Sequence, residues 1–277
     1  MNTIVPRAGL VLNAGMSDMA KLAVVTGASR GIGREIAVTL ARDGWDVAFS
    51  HVAKESEANE TEELIRATSR RVLAVRCDVG LKAEVWSFYE TVTQHFGATP
   101  ALLVNNAGIQ TWSPLLELKE EDWDRVIRTN LKGCFLNTQR AAQLMVERAI
   151  RGVIINLGSA CNWMAFPRLV DYTASKGGIE QFTKVSALEL GPHGIRVNCV
   201  SPGAIEHERT KLEAPDYADN WARITPLRRV GTTADVARAV RFLAGPDAGF
   251  ITGQTLFVDG GAFSVPNWPT EYNRDQG

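Results

Sequence analysis

The chain has 277 residues, 45% hydrophobic and 22% charged, and 30 basic against 31 acidic residues leave a formal net charge of -1. That balance speaks against nucleic acid as a partner, and the length suits one large α/β domain that needs neither disulfide nor metal to bury its core. Cys77, Cys134, Cys161 and Cys199 are scattered without C-x-x-C spacing, and the four histidines have no metal-ligand spacing; the expectation is reduced thiols, no metal and a cytoplasmic setting.

Residues 1–20 read as a disordered tail, with Met16 and Met19 as alternative initiators. No apolar run in the chain approaches the ~20 residues of a membrane span, so no membrane partner is expected. From Leu22 to Thr26 the pattern predicts a strand, from Gly33 to Asp43 a helix, from Asp46 to Ser50 a strand and from Ser56 to Ser69 a helix. Val72 to Cys77 is a predicted strand, Lys82 to Phe96 a helix, Ala101 to Asn105 a strand, and Glu120 to Ala149 a long helical region. Gly152 to Leu157 follows as a strand, Asp171 to Leu190 as a helix, Arg196 to Val200 as a strand, Thr233 to Leu243 as a helix and Thr255 to Val258 as a last strand. The strands are nearly continuous in Val, Ile, Leu and Ala, the pattern of strands covered on both faces. Repeated βα units predict a doubly wound parallel sheet, a Rossmann-type α/β fold with helices on both faces. No linker divides the chain, so residues 21–262 are taken as a single domain and 263–277 as a C-terminal extension. The long connection at 205–230, with mixed charge, two prolines and Trp221, suits a substrate lid.

Two motifs carry chemistry. Gly27, Gly31 and Gly33, interleaved with Ser29, Arg30 and Ile32, lie between a predicted strand and a predicted helix. There glycine lets the backbone approach a pyrophosphate, and the helix start offers free N–H groups. Such a turn is also found as a plain βα connection. Tyr172 and Lys176, at i and i+4, share a helix face. A phenol beside an ammonium is expected to have its pKa lowered toward neutrality and to serve as an acid/base; an isolated pair of this kind is otherwise a solvated face.

The order of motifs resembles the short-chain dehydrogenase/reductase family from about Lys21 to Gly261. The T-G-x-x-x-G-x-G turn is at Thr26 to Gly33, Asp78-Val79 follows the third strand, and Asn105-Asn106-Ala107-Gly108 follows the fourth. Pro202-Gly203 follows the sixth, and Val258-Asp259-Gly260-Gly261 ends the match. The stretch around Ser159 is closest to bacterial glucose dehydrogenases and to 3-oxoacyl-carrier reductases. The resemblance implies Asn130, Ser159, Tyr172 and Lys176 as the catalytic set, with Ser159 orienting the substrate and Asn130 kinking its helix and ordering a water. It implies a nicotinamide dinucleotide held by Gly27, Ser29, Arg30, Gly31, Ile32, Gly33, Asp78, Val79, Asn106, Ala107, Gly108, Tyr172, Lys176, Pro202, Gly203 and Ile205, and a homotetramer. NAD-preferring members carry an acid where this chain has His51, and Arg30 can bind a 2′-phosphate with help from Ser50 and His51. NADP(H) is therefore the expected cofactor, with NAD(H) a second use.

For the substrate, Ser159, Cys161, Trp163 and Gln110 are the candidates, joined by Trp112, Ala160, Asn162, Phe166 and Ala204 as further wall residues. The expected reaction interconverts a carbonyl and a secondary alcohol on a sugar, polyol or small ketone. A 3-oxoacyl-carrier substrate is the alternative, which Lys211, Arg223, Arg228 and Arg229 would suit, and a nicotinamide-binding regulator without turnover is the alternative from another class. His207 stands where the family often has threonine, with Thr210 as its nearest substitute.

Overall fold

The computed structural model describes residues 21–52, 54–208, 210 and 216–264. The expectations for the N-terminal tail, for Lys211 and for all but the first two residues of the C-terminal extension lie outside them. Seven strands form one sheet in the order β3-β2-β1-β4-β5-β6-β9. These are β1 (Leu22–Thr26), β2 (Asp46–His51), β3 (Val72–Arg76), β4 (Leu102–Asn105), β5 (Val153–Leu157), β6 (Arg196–Pro202) and β9 (Thr255–Val258). Every pairing is parallel. The strand order reverses between β1 and β4, so a crevice opens beyond their carboxyl ends, where open α/β sheets hold ligands.

Successive side chains of a strand point to opposite faces, and here both faces are cores. Ala23 and Val25 of β1 pack with Ile36 and Leu40 of α1 (Gly31–Arg42) and with Val240 of α8 (Thr233–Ala244). Leu22 and Val24 turn the other way, toward Phe88 and Tyr89 of α3 (Lys82–Phe96) and Met145 of α5 (Gly133–Glu147). A strand that feeds two cores has no polar face, which is why these segments read as unbroken apolar runs. α2 (Glu55–Arg66) adds Ala58 and Ile65 to the first core.

The predicted helix from Glu120 to Ala149 is broken. α4 (Glu120–Ile127) passes into a π turn over Arg128–Lys132 before α5 begins. A π turn inserts one wide turn into an α-helix and is most frequent at functional sites; this one carries Asn130. Between β6 and α8 lie two-residue strands, β7 (Ile205–Glu206) and β8 (Gly231–Thr232), and the helix α7 (Tyr217–Ile224). Strands of two residues are too short to leave a periodic signal in sequence.

Beneath the carboxyl end of the sheet runs a buried polar network. Asn105 and Asn156 stand opposite each other in the β4–β5 register. Asn105 Nδ2 donates to Asn156 Oδ1 at 2.8 Å and to Thr138 Oγ1 at 2.9 Å, while Asn156 Nδ2 donates to Thr183 Oγ1 at 2.9 Å. Thr138 belongs to α5 and Thr183 to α6 (Val170–Leu190), so two strands and two helices are tied at one depth. Buried amides paired in this way specify register, because a slip would strand their bonded groups without partners, as Asn105 Oδ1 already is.

Candidate active site

The phosphate turn is built by close packing. Gly27 and Gly31 have φ of +65 and +59°, the left-handed region that favours glycine. At Gly33 the constraint is space, since a Cβ would stand 2.4 Å from Asn106 Nδ2 and 2.5 Å from the Gly27 carbonyl oxygen. Asn106 locks this turn to the loop after β4. Its Nδ2 donates to the carbonyls of Thr26 and Gly27, both at 2.9 Å, and its backbone N–H and that of Ala107 donate to Thr26 Oγ1 at 3.0 Å. Arg30 is the extended N-cap residue of α1 and gives that helix no side-chain cap. The first N–H groups of α1 are therefore left for an anionic ligand, and with the glycine cradle they fit a dinucleotide pyrophosphate.

At the end of β2, Ser50 and His51 are buried. Ser50 Oγ accepts from the Gly27 N–H at 3.4 Å, and His51 Nδ1 is buried without a hydrogen-bond partner. The Arg30 side chain is 56% exposed, with Glu57 3.7 Å away, so its guanidinium remains accessible at the same edge. After β3, Asp78 Oδ1 accepts from the Gly80 N–H at 2.9 Å, its other oxygen faces Arg128 at 3.7 Å, and Val79 is buried.

Three segments then converge on Tyr172 and Lys176. Lys176 is buried on α6, and its Nζ donates to the Leu157 carbonyl at 2.6 Å and lies 5.4 Å from the centroid of the Tyr172 ring. Burial holds the Lys176 pKa below its ordinary value. From the loop after β4, Gly108 approaches closely enough that a Cβ there would lie 3.4 Å from Asn130 Oδ1 and 3.7 Å from Lys176 Nζ. The Asn130 amide is spent on protein partners. Its Nδ2 donates to the Ile109 carbonyl at 2.8 Å and to Ser175 Oγ at 3.0 Å, and its Oδ1 accepts from the Ile109 N–H at 2.8 Å. The side chain thus clamps the loop after β4 to α6.

Ser159 lies two residues after β5 and caps a short 3-10 turn, Ala160–Asn162. Its Oγ accepts from the Cys161 N–H at 3.2 Å, which leaves the hydroxyl proton for another acceptor, and its nearness favours the ionised form of the Tyr172 phenol. The Tyr172 side chain is half-buried. Its pKa departs from the expectation of a lowered value: burial pushes it up to about 12, and Ser159 only partly offsets that. Desolvation of the phenolate outweighs the ammonium, which sits over the ring at a distance and is itself desolvated. Asp171, fully buried beside Tyr172, accepts from the Thr111 hydroxyl and, at 2.7 Å, from the Tyr172 N–H. A carboxylate in the first turn of α6 is favoured by the helix dipole, and this one fixes the helix start against the loop that carries Gln110.

The remaining candidates separate. Cys161 is buried against Ser159, and burial raises its pKa; Gln110 is half-buried; Trp163 is 70% exposed and stands at the rim. The Asn162 amide donates to Glu180 and accepts from the Ser159 N–H at 3.2 Å and from Ser201 Oγ at 2.9 Å. The Gly203 N–H donates to the Val258 carbonyl at 3.0 Å just after Pro202, and Ile205 is buried in β7. Thr210 Oγ1 is engaged with the His207 backbone at 2.9 and 2.8 Å. Sequence reasoning missed Tyr217 and Phe263. Tyr217 lies near Trp221 on α7, with ring centroids 6.3 Å apart, and Phe263 packs on Gly203; Phe263 lies in a turn, where an aromatic has no spacing to betray it.

The same chemistry is found among proteins that the chain matches. Residues 27–262 match a family model described as Enoyl-(Acyl carrier protein) reductase. The 3-oxoacyl-(acyl-carrier-protein) reductase FabG of Staphylococcus epidermidis is 41% identical over 245 residues, covering 88% of this chain and 100% of that one. A crystal structure of a putative short-chain alcohol dehydrogenase from Sinorhizobium meliloti superposes with a TM-score of 0.84 at 36% identity, covering 90% of this chain and 98% of that one. The acetoin dehydrogenase of Enterobacter cloacae gives 0.83 at 34%, covering 91% and 100%. With the fold, the glycine cradle and the Tyr172–Lys176 pair in place, these matches make the chain a member of the short-chain dehydrogenase/reductase family, a nicotinamide-dependent oxidoreductase acting on CH–OH and carbonyl groups.

Proposed function

We propose that this protein uses NADP(H) to interconvert a small ketone or other small carbonyl compound and its secondary alcohol. The observation that carries the small-molecule reading is the half-buried setting of Ser159 and Tyr172, beside which the Asn162 amide bonds Glu180, Ser159 and Ser201. The bound nicotinamide supplies or accepts the hydride. Ser159 hydrogen-bonds the substrate oxygen, and Tyr172 gives that oxygen its proton in reduction or removes it in oxidation. Lys176 holds a buried positive charge beneath the phenol and binds ribose hydroxyls. Asn130 keeps the cofactor-side loop in register with α6. Gly27, Ser29, Gly31, Ile32 and Gly33 hold the pyrophosphate, Asp78 and Val79 the adenine, Asn106, Ala107 and Gly108 the neighbouring ribose, and Pro202, Gly203 and Ile205 the nicotinamide. The segment 205–230 serves as the lid of a single domain spanning 21–262.

The cofactor preference rests on the end of β2, which carries His51 instead of a carboxylate, with Arg30 exposed beside it. Replacing Arg30 by Ala should weaken NADPH binding at least tenfold, the scale of one charge-assisted hydrogen bond, and leave NADH almost unchanged. Equal losses for both would remove the 2′-phosphate from the reading.

A 3-oxoacyl-carrier substrate is the second reading, favoured by the 41% identity to FabG. An acidic carrier needs a basic docking face, and of the cations near the cleft Arg229 is neutralised by Asp235 at 2.8 Å, while Arg223 and Arg228 remain exposed. The deciding assay follows NADPH absorbance with simple ketones and with acetoacetyl thioesters, with and without carrier. Ketone turnover that the carrier does not improve supports the leading reading, and a strong preference for the carrier-bound thioester replaces it. NADPH binding without any turnover would point instead to a nicotinamide-binding regulator.

A homotetramer fits two apolar faces. Phe135, Val185 and Leu188 are exposed on α5 and α6, and Phe250 and Leu256 lie at the β9 edge. Four buried unpaired cysteines suit a reducing, cytoplasmic setting.

A further inference from the structure

Four aromatic side chains from three separate segments meet in one cluster. Phe166 comes from the loop between Ser159 and Tyr172, Tyr217 and Trp221 from α7, and Phe263 from the turn after β9. Phe166 and Phe263 meet edge to face with ring centroids 5.7 Å apart, and Trp221 lies 6.3 Å from Phe166, 6.4 Å from Phe263 and 6.3 Å from Tyr217. These are the spacings of interacting aromatic pairs. All four are half-buried, so each keeps part of its apolar surface uncovered.

The cluster is anchored to the site from two sides. A Cβ at Gly203 would stand 3.2 Å from the Phe263 ring, which puts that ring against the turn after β6. Asp259 holds the turn after β9 by accepting from the Gly261 and Phe263 N–H groups at 2.9 and 3.0 Å. On the other side, Tyr217 pairs with Trp221 at a centroid distance of 6.3 Å on α7. Phe166 is six residues ahead of Tyr172 on the segment that enters α6.

Several polar side chains of this region are committed elsewhere. Asn162 bonds Glu180, Ser159 and Ser201, Glu180 also pairs with Lys184, and Thr225 Oγ1 donates to the Trp221 carbonyl. The hydroxyls of a sugar or polyol set on the aromatic faces would give up water without gaining a partner there. An aromatic or saturated ring loses nothing polar and covers the open aromatic faces.

We propose that the group attached to the reacting carbonyl is a flat or cyclic apolar ring, as in an aryl or cycloalkyl ketone, seated on Trp221 and Phe166. This deepens the oxidoreductase reading above, rests on it, and narrows its substrate class away from sugars and polyols.

The test compares kcat/KM, with NADPH, for acetophenone, cyclohexanone, hydroxyacetone and a keto sugar, alongside NADPH binding by fluorescence. The expected result is a preference of at least tenfold for acetophenone and cyclohexanone over the hydroxylated ketones. In Trp221→Ala the acetophenone kcat/KM should fall at least tenfold, mainly through KM, and Trp221→Phe should recover most of it. Should Trp221→Ala fail to fold, Phe166→Leu provides the same comparison. Equal or better use of hydroxyacetone or the sugar overturns this inference and leaves the oxidoreductase reading standing, as does an unchanged KM in the variants. NADPH binding with no ketone reduced overturns both.

Discussion

The cofactor side of the cleft and the substrate side are held together by different forces. Around the phosphate turn, order comes from backbone hydrogen bonds and glycines that admit no side chain, such as Gly33 against Asn106. Around α7, order comes from ring-on-ring packing of Phe166, Trp221 and Phe263, with part of that surface still open. A site that must hold one invariant ligand is served by exact backbone geometry, whereas a site that sets specificity is served by side chains that can be exchanged without disturbing the sheet.

That difference predicts where damage travels. The largest effect is expected at Gly33→Ala. The added methyl would lie 2.4 Å from Asn106 Nδ2 and 2.5 Å from a backbone oxygen. Overpacking of this kind costs about 1–3 kcal/mol, and it should push the phosphate turn out of register. Calorimetric titration should show NADPH affinity down at least tenfold, together with a lower Tm. Wild-type affinity would mean that this half tolerates side chains as the aromatic half does.

A smaller effect sharpens the chemistry between the halves. With the Tyr172 pKa raised to about 12 by burial, the phenol stays protonated through the neutral range. Ketone reduction, which uses the protonated form, should be nearly flat from neutral into mild alkali. Alcohol oxidation, which needs the phenolate, should rise roughly tenfold per pH unit and still be climbing at about pH 9. An oxidation profile that levels off near neutrality would show that the ammonium of Lys176 outweighs burial after all.

The smallest effect concerns the junction. Thr232 caps α8 through a reciprocal capping box with Asp235, whose carboxyl is held well below the usual carboxylate range by its hydrogen bond to Arg229. Because that folded-state pKa is depressed, the contribution is present above the unfolded carboxylate value of about 3.9 and is lost as pH falls through the lower folded one. Thr232→Ala should cost about 1 kcal/mol in urea unfolding at neutral pH and leave NADPH affinity untouched.

The same division explains what could be read from the sequence. The sheet was legible because strands feeding two cores have no polar residue to interrupt them, and the cradle because Gly27, Gly31 and Gly33 are demanded by backbone geometry. Asn130 was legible as a break in its helix, but the π turn that makes the break has no residue signature of its own. The Asn105–Asn156 pair could have been found as two amides near the carboxyl ends of otherwise apolar strands. Of the aromatic cluster only its members Phe166 and Trp221 were legible as pocket and lid residues; that they meet Phe263 was not, since the three are distant in sequence and come from a loop, α7 and a turn. The sign of the Tyr172 shift was out of reach for another reason: the i, i+4 spacing shows the ammonium and not the burial.

The central claim is that Tyr172 is the proton-transferring group of a site whose cofactor half stands independently of it. The most direct test is Tyr172→Phe, measured for NADPH binding and for single-turnover reduction of a ketone that the wild type accepts. Binding within about twofold of wild type with the rate down roughly 10²–10⁴-fold is the predicted result. A rate within a few-fold of wild type would contradict the account, because Tyr172 would then not be the group that protonates the substrate oxygen.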